Sequence, residues 1–196
     1  SEILQNPDLS DGDRPKYARI IEDETQRLTR LLDDLLDLSV LENGQVSLDL
    51  RQAHLREILD RAQASANVDE QIRIRRSAGR EDISILTDPD RLTQVFINLM
   101  SNAAKYCEAQ RPKLTVIVTE APAAITVDFI DNGAGVDHAN QDMIFEKFAR
   151  ASDHSKAGGA GLGLAICREI ITNLGGQISY LPGQRGAAFR ISLPRD

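Results

Sequence analysis

Tryptophan is absent and aromatic residues make up only 4% of the chain, so its core has to be built mostly from aliphatic side chains. Cysteine is nearly absent too. Cys107 and Cys167 have no CxxC spacing and no histidine partner nearby, which fits reduced thiols of a cytosolic protein rather than a disulfide framework. Basic charge is in deficit: 23 Lys and Arg against 30 Asp and Glu, a net −7. That balance argues against a dedicated nucleic-acid binder, because a phosphate backbone demands basic surface. It does not forbid ATP, since backbone amides and one or two cations can hold phosphates locally. Neither a signal peptide nor an apolar run long enough to span a bilayer is present. The chain therefore reads as a soluble, cytoplasmic piece, which is compatible with a membrane anchor elsewhere in its parent protein. What remains is ordinarily globular: 196 residues, 41% hydrophobic and 27% charged, enough for one sizeable core and an appended element.

The appended element comes first. From Pro15 to Asn43, Ile21, Leu28 and Leu35 recur every seven residues, with Leu31 and Leu38 three beyond the last two, a heptad seam. Leu32 and Leu41 widen the seam towards a bundle-facing surface. A lone amphipathic helix of this length is marginal in water, so the seam predicts partner helices. Asn43-Gly44 supplies its stop. Ser1 to Gln5 reads as the last turn of another helix, and Asn6 to Asp13 as a polar connector. Together these suggest a helical hairpin whose first arm is almost entirely missing, with a boundary that divides the chain into 1–44 and 45–196.

Beyond that boundary the period changes. Val46, Leu48 and Leu50 alternate as a strand, and Leu55 to Ala66 as an amphipathic helix. Ile72 with Ile74, and Ile83 to Leu86, predict two short strands. Asp88-Pro89-Asp90 is a helix start, with Asp88 as the cap and Pro89 in the first turn. That helix is expected to run to Tyr106 or Cys107. Strands follow at Leu114 to Thr119 and Ile125 to Ile130, then a long loop of low periodicity from Asp131 to Gly159. Gly161 to Leu174 is helical and stops at Gly175-Gly176. Ile178 to Leu181 and Ala187 to Leu193 close the chain as a hairpin.

Three stretches carry chemistry. Asn98, Asn102 and Lys105 are spaced four and three apart, so they share one helix face, opposite Val95, Phe96 and Leu99. Two amides and an ammonium along one face can meet a triphosphate and its metal, a carboxamide oxygen being a hard ligand suited to Mg²⁺. A solvated polar face would look the same. Asp131-Asn132-Gly133-Ala134-Gly135 begins where a β-branched strand ends. A carboxylate there can accept from the exocyclic amine of adenine, and glycines let backbone approach the ring. A simple turn is the alternative. Gly158 to Gly163 opens a helix, whose freed amides and positive end make a phosphate cradle. It neither follows a strand directly nor ends in Lys-Ser/Thr, which removes the dinucleotide-fold and P-loop readings.

In this order, the motifs resemble the ATP-binding domain of sensor histidine kinases. Asn98 to Tyr106 is similar to that family's asparagine box, and Asp131 to Gly135 to its first glycine box. Phe145-Glu146-Lys147-Phe148 is similar to its phenylalanine box. Gly159 to Ile166 is similar to its second glycine box, with Ala160 where Thr is frequent. The resemblance covers the chain from about Gln45 to its end. It implies an α+β fold, a two-layer α/β sandwich of the histidine-kinase/Hsp90-like ATPase type with a lid between the glycine boxes, preceded by a long helix of a truncated hairpin. It further implies that Asn102 binds Mg²⁺ with Asn98 assisting, and that Lys105 and Tyr106 approach the phosphates or line the pocket. Asp131 would read adenine while Gly133 and Gly135 allow close approach. Gly159, Gly161 and Gly163 would hold phosphates alongside Leu162, and Phe148 would line the nucleotide site. Lys147 and Arg150 would reach the γ-phosphate from the lid.

The same resemblance makes Pro15 to Gly44 the second helix of the dimerisation and phosphotransfer hairpin. The family's phosphoacceptor histidine belongs to the first helix, and no such sequence precedes Ser1. His54 lies after the hairpin, at the start of a helix of the α/β part, and His138 and His154 lie in the lid. All three read as helix-start or surface residues. The implied function is transfer of the γ-phosphoryl group of ATP to a histidine on a helix missing from this chain, for relay to a response-regulator receiver aspartate, with the hairpin offering a homodimer surface. A fragment of this kind is expected not to autophosphorylate alone. The alternative is a degenerate kinase that binds nucleotide or docks partners without turnover.

Overall fold

The computed structural model describes residues 14–43, 47–77, 81–149 and 160–195. Helix α1 (Arg14–Glu42) ends where Asn43 closes it, its backbone N–H and its side-chain Nδ2 both donating to the carbonyl of Ser39 at 3.2 and 2.7 Å. Its seam is covered unevenly: Leu38 and Leu41 are buried and Leu31 packs against the same core, while Leu28, Leu32 and Leu35 are exposed, as are Leu36 and Val40 beside them. The buried pair joins the same core as helix α4 described below. The stub expected at Ser1 to Gln5 lies outside the described residues.

The strand expected at Val46 to Leu50 is displaced. Val46 lies outside the described residues, Leu48 and Leu50 are not in a strand, and β1 instead spans Arg51–His54, pairing antiparallel with β3 (Ser84–Thr87). The cause is Asp88, whose Oδ2 accepts the backbone N–H of Asp49 at 3.1 Å and turns this segment onto a helix cap. Between the two strands lie α2 (Leu55–Ala66) and β2 (Arg73–Arg76). Helix α2 buries Leu55, Ile58, Leu59 and Ala62, the i, i+3, i+4, i+7 stripe of an amphipathic helix. It stops at Asn67, which takes a left-handed conformation, φ 48°.

Helix α3 (Pro89–Tyr106) begins as expected: Asp88 Oδ1 accepts from the N–H groups of Asp90 and Arg91, both at 3.1 Å, and Pro89 fills the first turn. Arg61 on α2 ties this end down through Thr93 Oγ1 and the carbonyl of Pro89. Then come β4 (Lys113–Glu120), β5 (Ala124–Asp131), a short 3-10 turn at His138–Asn140, α4 (Gly163–Asn173), β6 (Gln177–Tyr180) and β7 (Ala188–Pro194). The main sheet runs β2-β4-β5-β7-β6, with β2 parallel to β4 and the other neighbours antiparallel.

Helices α3 and α4 pack on this sheet and α2 packs on α3 within the same core, and the result is the α+β two-layer sandwich that the resemblance implied. Leu114, Val116, Val118, Ile125, Val127 and Ile191 point inward, and Phe96 of α3 meets Phe129 of β5 at a ring separation of 5.3 Å. The core is otherwise aliphatic, as the aromatic shortage requires. Both cysteines are free and buried in it. Burial pushes the Cys167 thiol up to about 12, against an opposing hydrogen bond from Asn98. A thiol reagent at mildly alkaline pH should therefore leave Cys167 of the folded protein unmodified and label it once the protein is unfolded. Rapid native labelling of Cys167 would contradict the packing between α3 and α4.

Candidate nucleotide site

The C-terminal end of α3, the end of β5 and the N-terminus of α4 converge because the central strand β5 runs out beneath the two helices. Asp131 is the last residue of β5 and is buried. Its Oδ1 accepts two backbone N–H groups, from Gly133 at 2.8 Å and from Ala187 at 2.9 Å, and its own N–H donates to the carbonyl of Ala187. That leaves Oδ2 with no hydrogen bond among the described residues. The carboxylate is oriented by the backbone and keeps one acceptor to offer.

The turn after it is seated on the end of α3. A Cβ on Gly133 would lie 3.2 Å from the Cα of Cys107, the C-cap of α3, so this turn and that helix end are in contact. Asn132 braces the same corner: its Oδ1 accepts from the backbone of Lys113 at 2.7 Å and from Cys107 Sγ at 3.3 Å, and its Nδ2 donates to the carbonyl of Arg111.

Along α3, Asn98 and Asn102 are half-buried, and Lys105 and Tyr106 are exposed at the helix end. Asn98 faces α4, where a Cβ on Gly163 would lie 3.4 Å from its Oδ1. The carboxamide of Asn102 makes no hydrogen bond among the described residues. Lys105 lies close enough to α1 to act on Asp34, whose carboxyl is raised by burial first and then by Asp37 and Asp33, with Lys105 and Arg30 opposing.

Helix α4 starts at Gly163, two residues later than expected, because Gly161 turns left-handed at φ 72° with the carbonyl oxygen of Ala149 only 2.8 Å from where its Cβ would be. No side chain among the described residues caps this helix, so among them the first N–H groups of α4 are left to an anion. Leu162, expected at the nucleotide, has its side chain in the core at 1% exposure, so only its backbone can serve the site.

The phenylalanine motif divides. Phe145 packs edge-on against Phe189 at 6.2 Å, whereas Phe148 is exposed, holds a positive φ of 62°, and donates its N–H to the carbonyl of Gly161 at 3.0 Å. Lys147 is not held toward α3 at all. Its Nζ pairs with Glu42 at the end of α1, 2.6 Å from Oε1 and 2.8 Å from Oε2. Arg150 and Gly159 lie outside the described residues, as does His154. His54 is at the start of α2, exposed, 3.9 Å from Asp82; His138 is exposed in the short 3-10 turn.

Sequence reasoning passed over Gly186 and Ala187. A Cβ on Gly186 would fall 2.2 Å from the carbonyl oxygen of Asp131 and 2.6 Å from its Oδ1, and φ there is 100°. The glycine is what lets the β6–β7 turn press against Asp131. Its only sequence signal was a glycine in a hairpin turn, which points equally to an ordinary turn.

Comparison with known proteins agrees with this architecture. The family described as histidine kinase-, DNA gyrase B-, and HSP90-like ATPase matches residues 87–196. The chain is 33% identical over 203 residues to sensor protein kinase WalK of Staphylococcus saprophyticus, an alignment covering 98% of this chain and 33% of that protein. WalK of Staphylococcus aureus is 33% identical over 190 residues, covering 92% and 45%. The chain thus spans less than half the length of these curated relatives. Among solved structures, the Acinetobacter baumannii histidine kinase AdeS shares the fold with a TM-score of 0.79 at 23% identity, covering 99% of this chain and 90% of that one. Full-length ShkA in complex with AMPPNP gives a TM-score of 0.75 at 25% identity, covering 98% of this chain and 41% of ShkA. The chain belongs to the histidine kinase-, DNA gyrase B-, and HSP90-like ATPase family, as a sensor-histidine-kinase catalytic domain with the helix that precedes it.

Proposed function

We propose that this chain binds Mg-ATP and passes the γ-phosphoryl group to a histidine presented on a phosphotransfer helix, from which a response-regulator receiver aspartate takes it. Residues 1–44 would then belong to the dimerisation and phosphotransfer hairpin, with α1 as its second helix and its exposed leucines as the dimer surface. Residues 45–196 would be the catalytic domain.

The observation that carries this reading is Asp131, fixed through Oδ1 by two backbone N–H groups while Oδ2 keeps an acceptor. An exocyclic amine of adenine supplies the missing donor. At the adjoining helix, the uncommitted amide of Asn102 would hold Mg²⁺, with Asn98 beside it. The metal supplies charge neutralisation on the phosphates. The open N–H groups at the start of α4, at Gly163, would take phosphate oxygens, and Lys105 would add positive charge. Lys147 would reach the γ-phosphate only by leaving Glu42. Gly159 and Arg150 enter on resemblance alone.

Phosphoryl transfer of this kind depends on positioning and charge stabilisation, with the imidazole of the acceptor as nucleophile. His54 and His138 lie on neither helix of such a hairpin. Calorimetry should show ATP binding that strengthens with Mg²⁺, and Asn102→Leu should remove roughly tenfold or more of the metal-dependent part. With labelled ATP and an added helical hairpin bearing a histidine, acid-labile and base-stable label is expected on the hairpin and not on this chain. Absence of nucleotide binding would defeat the reading, and label lost on His54→Ala would move the acceptor into this chain.

A further inference from the structure

Val136 is where the turn after Asp131 leaves the sheet and heads for the Phe145 to Phe148 motif. Side chains take both of its backbone polar groups. Its N–H donates to Tyr180 Oη at 3.2 Å, and its carbonyl accepts from Gln141 Nε2 at 2.9 Å. The same hydroxyl lies 3.4 Å from where a Cβ on Gly135 would be, and the carbonyl oxygen of Gly186 lies 3.1 Å from that point. Tyr180, the last residue of β6, therefore closes on the turn from the sheet side, beside the glycine that presses on Asp131.

The tyrosine is itself held. Its ring meets Phe189 of β7 at 5.7 Å and 72°, and Phe189 meets Phe145 at 6.2 Å and 90°. These edge-to-face contacts orient the phenol so that its hydroxyl stays under Val136. Gln141 approaches from the other side, out of the turns that follow the 3-10 segment.

We infer that Tyr180 and Gln141 are positioning residues that clamp Val136, and through it hold the Gly133 to Gly135 turn ready for the base of the nucleotide. The inference rests on reading Asp131 to Gly135 as the adenine side of the site. An irregular segment whose backbone groups are tied to rigid neighbours loses less entropy when a ligand orders it, so the clamp acts on affinity. It acts on the base and not on the phosphates, which sit at the α3 and α4 helix ends.

Tyr180→Phe keeps the ring contacts and deletes the acceptor. Hydrogen exchange at the Val136 amide should accelerate, while ADP affinity falls about three- to tenfold, the scale of one hydrogen bond. The melting temperature and the affinity for inorganic tripolyphosphate, which has no base, should stay where they are. Gln141→Leu should lower ADP affinity in the same selective way. A general structural role would lower ADP and tripolyphosphate affinity together with the melting temperature, and that result overturns the inference. So does an unchanged Val136 amide. A parent protein with no ADP affinity would defeat the nucleotide reading instead, and the exchange measurement would still decide the clamp.

Discussion

Asp131→Asn should weaken ADP binding by about 1–3 kcal/mol, the cost of leaving a buried hydrogen-bonding group without its partner. The argument is one of donors and acceptors. Oδ1 must accept from Gly133 and Ala187, so the asparagine oxygen takes that place and its NH₂ group replaces Oδ2. A donor then faces the exocyclic amine of adenine, itself a donor. The fold is expected to survive, because both backbone bonds are kept. The change should also lower discrimination against a purine with a 6-oxo group, which can accept from the new NH₂. Equal ADP affinity in calorimetry, for variant and parent, would sink the role of Asp131.

Gly186→Ala should do more damage, costing about 3 kcal/mol or more of stability, because it combines a left-handed φ with overlap on backbone that cannot yield. The added Cβ would sit 2.2 Å from the carbonyl oxygen of Asp131. Nucleotide binding is expected to vanish even where the protein stays folded, since the turn that orients Asp131 would be pushed away. Gly183→Ala is the control: its φ is 82°, but nothing lies within 4 Å of the added Cβ. It isolates the conformational cost, of about 1 kcal/mol. Denaturant melts that give both variants the same loss would show that the close approach to Asp131 carries no weight.

The legibility of this fold varies with how local the signal is. Helix α3 begins and ends where expected because Asp88, Pro89 and the apolar spacing all act within a turn or two of the backbone. The strand expected at Val46 to Leu50 fails for the complementary reason. Its alternation is local, but a strand exists only through a partner, and Asp88 diverts the N–H of Asp49 before the ladder opens at Arg51. At α4 the glycines predicted that a helix opens after Gly158 to Gly163. They could not tell that Gly161 would turn left-handed and delay the helix to Gly163.

The site divides along the same line. Asn98, Asn102 and Lys105 on one helix face, and Asp131 at a strand end, were readable from residue type and period. By itself, the sequence determined the family, the α+β class and the order of the motifs, because each motif states a backbone requirement within a few residues. Tertiary structure alone decided which groups meet. Ala187 reaches Asp131 across 56 residues, and Glu42 takes Lys147 across 105. Tyr180 meets Val136 over 44. Such pairings depend on sheet register and on how α1 docks beside α4. Those are set by the whole core's burial rather than by any local spacing, so no stretch of sequence announces them.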